Sequence, residues 1–73
     1  MLEHPNVLST RPTVRWEHGR KVWVYVIETD LAVTPEDPAF DGAAFNSLAE
    51  AALAHLANRP HFDGIRFEQV PLA

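Results

Sequence analysis

The sequence predicts an α+β fold of order β-β-α-β, a three-stranded sheet with one amphipathic helix packed on one face. Three observations predict it: β-branched and aromatic residues from Lys21 to Thr29, apolar residues at helical spacing after Asp41, and alternation of apolar and polar residues after Gly64. With 73 residues there is room for a single core, because a chain of about 60 residues buries only about 60% of the surface it exposes when unfolded. We therefore expect one domain over residues 13–73.

Residues 1–12 are predicted to form a flexible N-terminal arm. They contain Pro5 and Pro12 together with residues that favour turns, and their apolar positions show little periodicity. The first residues lack a basic segment followed by an apolar one, so we expect no secretory signal. The densest apolar run, Val22 to Ile27, is far shorter than the about 20 residues of a membrane-spanning helix. Together with the absence of cysteine, which fits a reducing compartment, this predicts a cytoplasmic protein without a membrane role.

A β-hairpin is predicted around His18 and Gly19, since glycine tolerates the positive φ that two-residue hairpin loops need. The first strand is expected from Thr13 to Glu17 and the second from Lys21 to Thr29. A two-residue loop places one apolar set on one face (Val14, Trp16, Trp23, Tyr25 and Ile27) and another on the opposite face (Val22, Val24 and Val26). A loop one residue longer, with a bulge, reverses the face of the first-strand residues. In both cases the second strand is apolar on both sides, which indicates a second layer or a surface for a partner.

The helix is predicted to begin near Asp41, whose carboxylate can cap free main-chain amides. Its apolar residues recur at intervals of three and four: Phe45, Leu48, Ala49, Ala52, Leu53 and Leu56. His55 lies off this stripe. The helix is expected to end around Asn58, a residue that suits a left-handed cap.

Two shorter segments flank the helix. From Thr34 to Pro38 the prolines favour only a turn, because proline inside a helix removes a hydrogen bond and clashes with the preceding turn. After the helix, Ile65 and Phe67 alternate with Arg66 and Glu68, which predicts the third strand.

The charged residues are distributed unevenly along the chain. The net charge of −4 disfavours non-specific nucleic-acid binding, which depends on lysine and arginine displacing counterions from phosphates. Four cations nevertheless lie close together near the hairpin, against Glu17 alone: Arg11, Arg15, Arg20 and Lys21. The segment that follows carries five carboxylates and no cation: Glu28, Asp30, Glu36, Asp37 and Asp41. Such charge separation suits the orientation of a charged macromolecular partner, although charge runs also solvate a surface.

No arrangement of reactive side chains predicts catalysis. The histidines lack the short spacing of a zinc site: His4, His18, His55 and His61. Prolines interrupt the spacing that a calcium loop needs among the carboxylates. Ser9 and Ser47 lie outside any nucleophile-elbow motif, and the 3 glycines are too widely separated for a phosphate loop. We therefore expect no enzyme, no bound metal and no cofactor.

Two surfaces are predicted to bind a partner. The first combines the cations and tryptophans of the hairpin, residue types that dominate binding energy at protein interfaces: Arg15, Trp16, Arg20, Lys21 and Trp23. The second is acidic, and it is equally typical of a solvated loop: Glu28, Asp30, Glu36 and Asp37. In so small a domain, at least one of Trp16 and Trp23 is expected to lie in the core.

A compact β-β-α-β order with a tryptophan-bearing hairpin, an alanine-rich helix, an acidic loop and a final strand containing Arg66 and Glu68 resembles a known group. It is similar to the small phage-encoded proteins that bind bacterial RNA polymerase, which include a coliphage transcription inhibitor and a Xanthomonas phage inhibitor and antiterminator. The resemblance spans Thr13 to Leu72 as an order of elements rather than a shared motif. It implies binding to the polymerase β′ subunit, inhibition of σ-dependent initiation, antitermination as a further effect, and no catalysis.

The predicted function is therefore that of a phage-type regulator, monomeric when free, which binds host RNA polymerase in the bacterial cytoplasm. Two alternatives stay open. One is a small nucleic-acid-binding module that uses the basic hairpin, for which the net charge has the wrong sign. The other is a dimeric antitoxin or assembly protein that pairs through an exposed edge or face of its sheet.

Overall fold

The computed structural model describes residues 2–70, which form two strands, a helix and a third strand in the predicted order. The elements are β1 (Val7–Glu17), β2 (Arg20–Thr29), α1 (Gly42–Leu56) and β3 (Gly64–Gln69). β2 lies in the centre of the sheet, antiparallel to β1 and parallel to β3. The parallel pair is possible because α1 carries the chain back along the sheet before β3 begins. The predicted α+β fold is confirmed, while the ends of the predicted arm and domain, Met1 and residues 71–73, lie outside the described residues.

A two-residue loop connects β1 and β2. His18 and Gly19 have φ angles of 52° and 74°, and Glu17 pairs directly with Arg20. Positive φ at both loop residues is the geometry of the type I′ turn, whose twist matches that of the flanking strands. The apolar residues therefore divide between the two faces as the shorter of the two predicted loops requires.

β1 begins at Val7, so the predicted boundary between an arm and the domain at residue 12 is wrong. Residues 7–12 pair with the end of β2, and Leu2 is buried in the core at 6% exposure. Pro12 is tolerated because a proline fits an edge strand where its nitrogen faces away from the neighbouring strand. A register shift between Val7 and Ser9 interrupts the alternation that would otherwise identify the strand.

The core lies between α1 and one face of the sheet, which we call the helix side. Ile27 and Leu48 are fully buried and form its centre together with Tyr25 and Ala52. Partly buried apolar side chains surround them: Val7, Leu31, Ala51, Leu56, Phe62, Ile65 and Phe67. Ile65 and Phe67, the two members of this set from β3, are the apolar residues of the alternation that predicted this strand.

Two residues of α1 depart from the predicted apolar stripe. Leu53 is 63% exposed, whereas His55 is half-buried with its ring centre 5.7 Å from that of Tyr25. Helical geometry explains both, since residues five positions apart lie about 140° apart around the axis and residues seven apart about 20°. With Leu48 on the buried side, Leu53 turns outward and His55 turns inward.

The face of the sheet opposite α1, the valine side, carries a second apolar cluster of Val22, Val24 and Val26. These valines are buried, although α1, the helix within residues 2–70, packs on the other face of the sheet. Arg11 of β1 reaches across β2 to Glu68 of β3, with Nη2 3.1 Å from Oε1. Because neighbouring strands lie about 4.8 Å apart, the apolar stem of Arg11 has to cross the valine stripe to make this contact.

Asp41 caps α1 as predicted, since its Oδ1 accepts a hydrogen bond from the Ala44 N–H at 3.2 Å. We expect Asp41→Ala to lower the free energy of unfolding by about 0.5–2 kcal/mol, because this amide then loses its partner. Glu50→Ala, at an exposed position of the same helix, serves as the control and should change stability by less than about 0.5 kcal/mol. Urea unfolding measures both variants, and equal losses would contradict the capping role.

The predicted left-handed cap at Asn58 is wrong. Ala57 is the cap, in right-handed helical conformation, and His18 is the only non-glycine residue with positive φ in the described part of the chain. The Arg59 guanidinium donates to the carbonyl of His55 at 3.2 Å. A side chain thus takes up one of the carbonyls that the end of a helix leaves without an intrahelical partner.

Candidate protein-binding surface

The hairpin extends beyond the rest of the sheet. β3 pairs with β2 only from Val24 to Thr29, so the residues nearest the turn form a two-stranded ribbon. α1 packs on Tyr25 and Ile27, farther along β2. The helix side of the ribbon lies beyond these elements and consists of exposed and half-buried residues. We call it the hairpin surface: Pro12, Val14, Trp16, Lys21 and Trp23.

Both tryptophans belong to this surface. Trp16 is 70% exposed, and Trp23 is half-buried and outside both apolar clusters. The prediction that at least one of them lies in the core is therefore wrong. The physical reason is the shortness of β3, which together with α1 covers only the far half of β2. An exposed tryptophan next to apolar neighbours is typical of binding sites, because its ring adds a large contact area with few torsions to restrict.

The cations of the predicted patch are divided between the two faces of the ribbon. Lys21 lies on the hairpin surface, with Nζ 5.1 Å from the centre of the Trp23 ring. Arg15 and Arg20 lie on the valine side. Arg15 pairs directly with Val22, and Arg20 lies two residues before Val22 on β2, so all three side chains share a face. The five predicted residues therefore share one end of the molecule but not one face.

Each of these arginines has an exposed acidic neighbour. Arg15 Nη2 lies 2.8 Å from Oε2 of Glu17, and Arg20 Nη2 lies 3.9 Å from Oδ1 of Asp63. Ion pairs this open to solvent contribute about 0–1 kcal/mol, since water and salt screen them. Both guanidinium groups can therefore exchange these neighbours for a partner's carboxylates at little cost.

Two of the predicted acidic residues lie at the far end of β2 and fasten the N-terminal part of the chain to it. Glu28 accepts a hydrogen bond from the Ser9 hydroxyl at 2.5 Å, and Asp30 accepts one from the Asn6 side-chain amide at 3.0 Å. An extended strand rises about 3.3 Å per residue, so Glu28 lies roughly 23 Å from Lys21 along β2. The acidic and cationic residues are thus separate surfaces at opposite ends of the sheet.

Glu36 and Asp37 lie in the loop before α1, where the predicted turn is confirmed. The Asp37 N–H donates to the carbonyl of Thr34 at 2.9 Å, and the Phe40 N–H donates to the carbonyl of Asp37 at 2.9 Å. The Asp37 carboxylate also accepts from the Ala39 N–H at 2.9 Å, so it holds the loop in shape. Glu36 is exposed.

Pro12 and Val14 are members of the hairpin surface that the sequence analysis did not select. They alternate with Trp16 at intervals of two, which is the period of one strand face. That signal was present in the sequence, but assigning residue 12 to an arm concealed it.

The outer edge of β1 has no neighbouring strand in the described part of the chain. In a two-residue hairpin the residues next to the loop exchange hydrogen bonds, and bonded and non-bonded pairs alternate from there. Counting from Glu17, the main-chain groups of Thr10, Val14 and Trp16 point away from β2. Pro12 occupies the outward position between Thr10 and Val14, so its missing N–H costs no hydrogen bond with β2.

The surroundings of His55 favour its neutral form. The Tyr25 hydroxyl lies 3.4 Å from its Nε2, and the ring packs against the core. Burial first, and the positive charge of Arg59 second, lower the pKa of His55 from its ordinary value of 6.5. The folded protein therefore prefers the neutral ring.

We expect stability to fall as the pH decreases below about 6.5, because the unfolded chain then binds a proton at His55 more readily than the folded chain does. Above that pH the ring is neutral in both states, and His55 contributes no pH dependence. Urea unfolding from about pH 7.5 to about pH 5 measures the profile. His55→Gln should flatten this part of it. Identical profiles for wild type and His55→Gln would contradict the assignment.

Within residues 2–70, no group of three or more histidine, aspartate or glutamate side chains is placed to hold a metal ion. Two open depressions have mainly apolar linings, one beside Leu2 and Leu8 and the other between the end of α1 and the start of β3. None of the helical segments in the same range is both long and apolar enough to cross a membrane.

Comparison of the chain with protein families, curated proteins and solved structures finds no match. The resemblance to polymerase-binding regulators accordingly stays an expectation drawn from the order of elements. The hairpin surface and the charges around it are the features from which a function can be inferred.

Proposed function

We infer that this chain is a regulator that acts by binding another protein. The observation that carries the proposal is the hairpin surface, where Trp16 is 70% exposed and Lys21 and Trp23 lie beside it. Soluble monomers rarely leave a large contiguous apolar patch open to water. A partner that covers the two indole rings gains apolar burial worth about 25 cal/mol per Å² before the costs of association.

The charges around this surface favour an acidic region of the partner. Arg15, Arg20 and Lys21 lie at the hairpin end of the molecule, and the ion pairs of the two arginines are exposed to solvent. The carboxylates of Glu28 and Asp30 lie at the opposite end of β2. Separated charges of this kind orient the molecule during its approach to a charged surface and speed correct association.

The specific partner that we propose is the β′ subunit of bacterial RNA polymerase, in the cytoplasm of a host bacterium. The contact would inhibit σ-dependent initiation, with antitermination as a second effect. This choice is supported by the β-β-α-β order with a tryptophan-bearing hairpin and an acidic loop, which the chain shares with the phage-encoded regulators that it resembles.

A nucleic-acid ligand ranks below a protein partner. The hairpin cations do not form one basic face, because Arg15 and Arg20 lie on the valine side and Lys21 on the helix side. The net charge of −4 also opposes approach to a phosphate backbone. A mobility-shift assay at low salt that shows tight, saturable binding would reverse this ranking.

The test is affinity capture from a bacterial lysate with the tagged chain, followed by quantitative mass spectrometry. We expect enrichment of β′ that decreases as salt is raised, since salt screens the hairpin charges. With purified polymerase, added chain should reduce run-off transcription from a σ-dependent promoter. Capture without any polymerase subunit would remove the specific partner, and a chain that retains no protein at low salt would remove the general proposal.

A further inference from the structure

β1 offers an outer edge that is free within the described residues. Such an edge presents main-chain donors and acceptors to any strand that can pair with it. Pro12 lacks one of these donors, so a strand that pairs across residue 12 gains one hydrogen bond fewer at that position. The side chains along β1 then decide which register another strand prefers.

The segment of residues 11–17 is complementary to itself. Its order is Arg-Pro-Thr-Val-Arg-Trp-Glu. When two copies run antiparallel with Val14 opposite Val14, Arg11 lies opposite Glu17 of the second copy, and Pro12 lies opposite Trp16 of the second copy. The first pair joins opposite charges on the valine side when Arg11 and Glu17 leave their partly exposed ion pairs with Glu68 and Arg15, which contribute little to stability. The second pair places a proline beside the edge of the exposed indole on the helix side. Cross-strand pairs of both kinds stabilise a sheet.

The main-chain groups fit the same register. Val14 is an outward-facing position, so its N–H and carbonyl can exchange hydrogen bonds with Val14 of the second copy. The Trp16 N–H donates to the carbonyl of Pro12 in the second copy, whereas the Trp16 carbonyl receives no main-chain N–H in return, because Pro12 has none. No hydrogen bond between β1 and β2 is disturbed.

Other symmetric registers lack this agreement. Centring the pair on Thr13 sets Arg11 against Arg15 of the second copy, and centring it on Arg15 sets two arginines against each other. Like charges directly opposite destabilise a sheet. Centring on Pro12 leaves the central pair without donors, and centring on Trp16 would engage only the last few residues of β1.

We propose that two copies of this chain pair through β1 with Val14 at the two-fold axis. The two three-stranded sheets then join into one, with both helices on the same side, because directly opposed residues share a face. The inference goes beyond the proposed function, and it differs from the expectation of a monomer drawn from the sequence. The second copy adds a strand beside β1, and the helix-side faces of Trp16, Lys21 and Trp23 stay open to a partner protein.

A mixing experiment with two charge-reversal variants of the purified full chain tests the register. Arg11→Glu sets carboxylates against each other at both ends of the pairing, and Glu17→Arg does the same with guanidinium groups. Each variant alone should dimerise on the order of tenfold to a hundredfold more weakly than wild type. An equimolar mixture restores opposite charges at both ends and should dimerise as wild type does. Analytical ultracentrifugation over a concentration series measures all four samples.

A second pair of variants tests the main-chain contact. Val14→Pro removes the central outward donor and should leave the chain monomeric. Thr10→Pro makes the same change at an outward position outside the paired segment and should leave the dimer intact. Circular dichroism and the Tm establish that each variant is folded.

Wild type that sediments as a monomer at about 500 µM would overturn the proposal. A β1 edge that binds a segment of a different protein, and not a second copy, would give this result. A dimer that neither charge reversal weakens would overturn the register and the proposal with it. The same holds if the mixture fails to restore the association that each variant has lost. None of these measurements uses polymerase, so their failure is distinguishable from failure of the proposed function.

Discussion

Leu48→Ala is expected to lower the free energy of unfolding by about 2–5 kcal/mol, a large part of the stability of so small a domain. Leu48 is fully buried and packs with Tyr25, Ile27 and Ala52 between α1 and the sheet. The truncation removes its apolar contacts and leaves a cavity. Hydrogen bonds between strands fix the sheet on the other side of this cavity, so the space cannot close completely.

Leu53→Ala is the matched control, because it removes the same atoms from the same helix. Leu53 is 63% exposed, and its replacement should change stability by less than about 0.5 kcal/mol. Urea unfolding at one fixed protein concentration compares the two, since self-association makes stability depend on concentration. Similar losses for both variants would contradict the placement of α1 on the sheet.

Leu48 and Leu53 also show which features of α1 could be predicted from the sequence. Asp41 and the spacing after Phe45 predict a helix, because capping and apolar periodicity are local properties. The same spacing assigned Leu53 to the buried stripe and His55 to the outside. The side of a helix that is buried depends on the width and position of the sheet beneath it, and a three-stranded sheet covers a narrow stripe.

The two strands of the hairpin also differ in how well they could be predicted from the sequence. β2 was predictable because it lies in the centre of the sheet and is apolar on both sides. The first half of β1 was not, since an edge strand accepts Pro12 and a bulge near Ser9 without losing its ladder. The sequence pattern of that half is therefore the pattern of a loop, although its main chain is extended.

The candidate site was proposed from composition, and the topology of the sheet changes which of its residues share a face. The sequence selected Trp16 and Trp23 as residues of a binding hairpin, yet it also placed one of them in the core. What leaves both outside is the point at which β3 begins to pair with β2, at Val24. That point is set by the length of the connection through α1, a long-range property that no pattern near the tryptophans contains.

Arg20→Gln combined with Lys21→Gln is expected to weaken capture of RNA polymerase on the order of tenfold or more, mainly through slower association. Both residues are exposed at the turn of the hairpin, and both lie outside residues 11–17. Loss of capture should therefore occur while the dimer persists. This separates the partner contact from the pairing of two copies.

The control has to match the change in net charge. Ala43→Glu combined with Ala54→Glu shifts the net charge by the same amount at two exposed positions of α1, away from the hairpin. Capture by this variant should equal that of wild type at every salt concentration. If both double variants lose capture equally, net charge governs binding and the hairpin is not the contact. If neither loses it, the charges at the hairpin do not steer the partner, and the hairpin surface loses its electrostatic role in recognition.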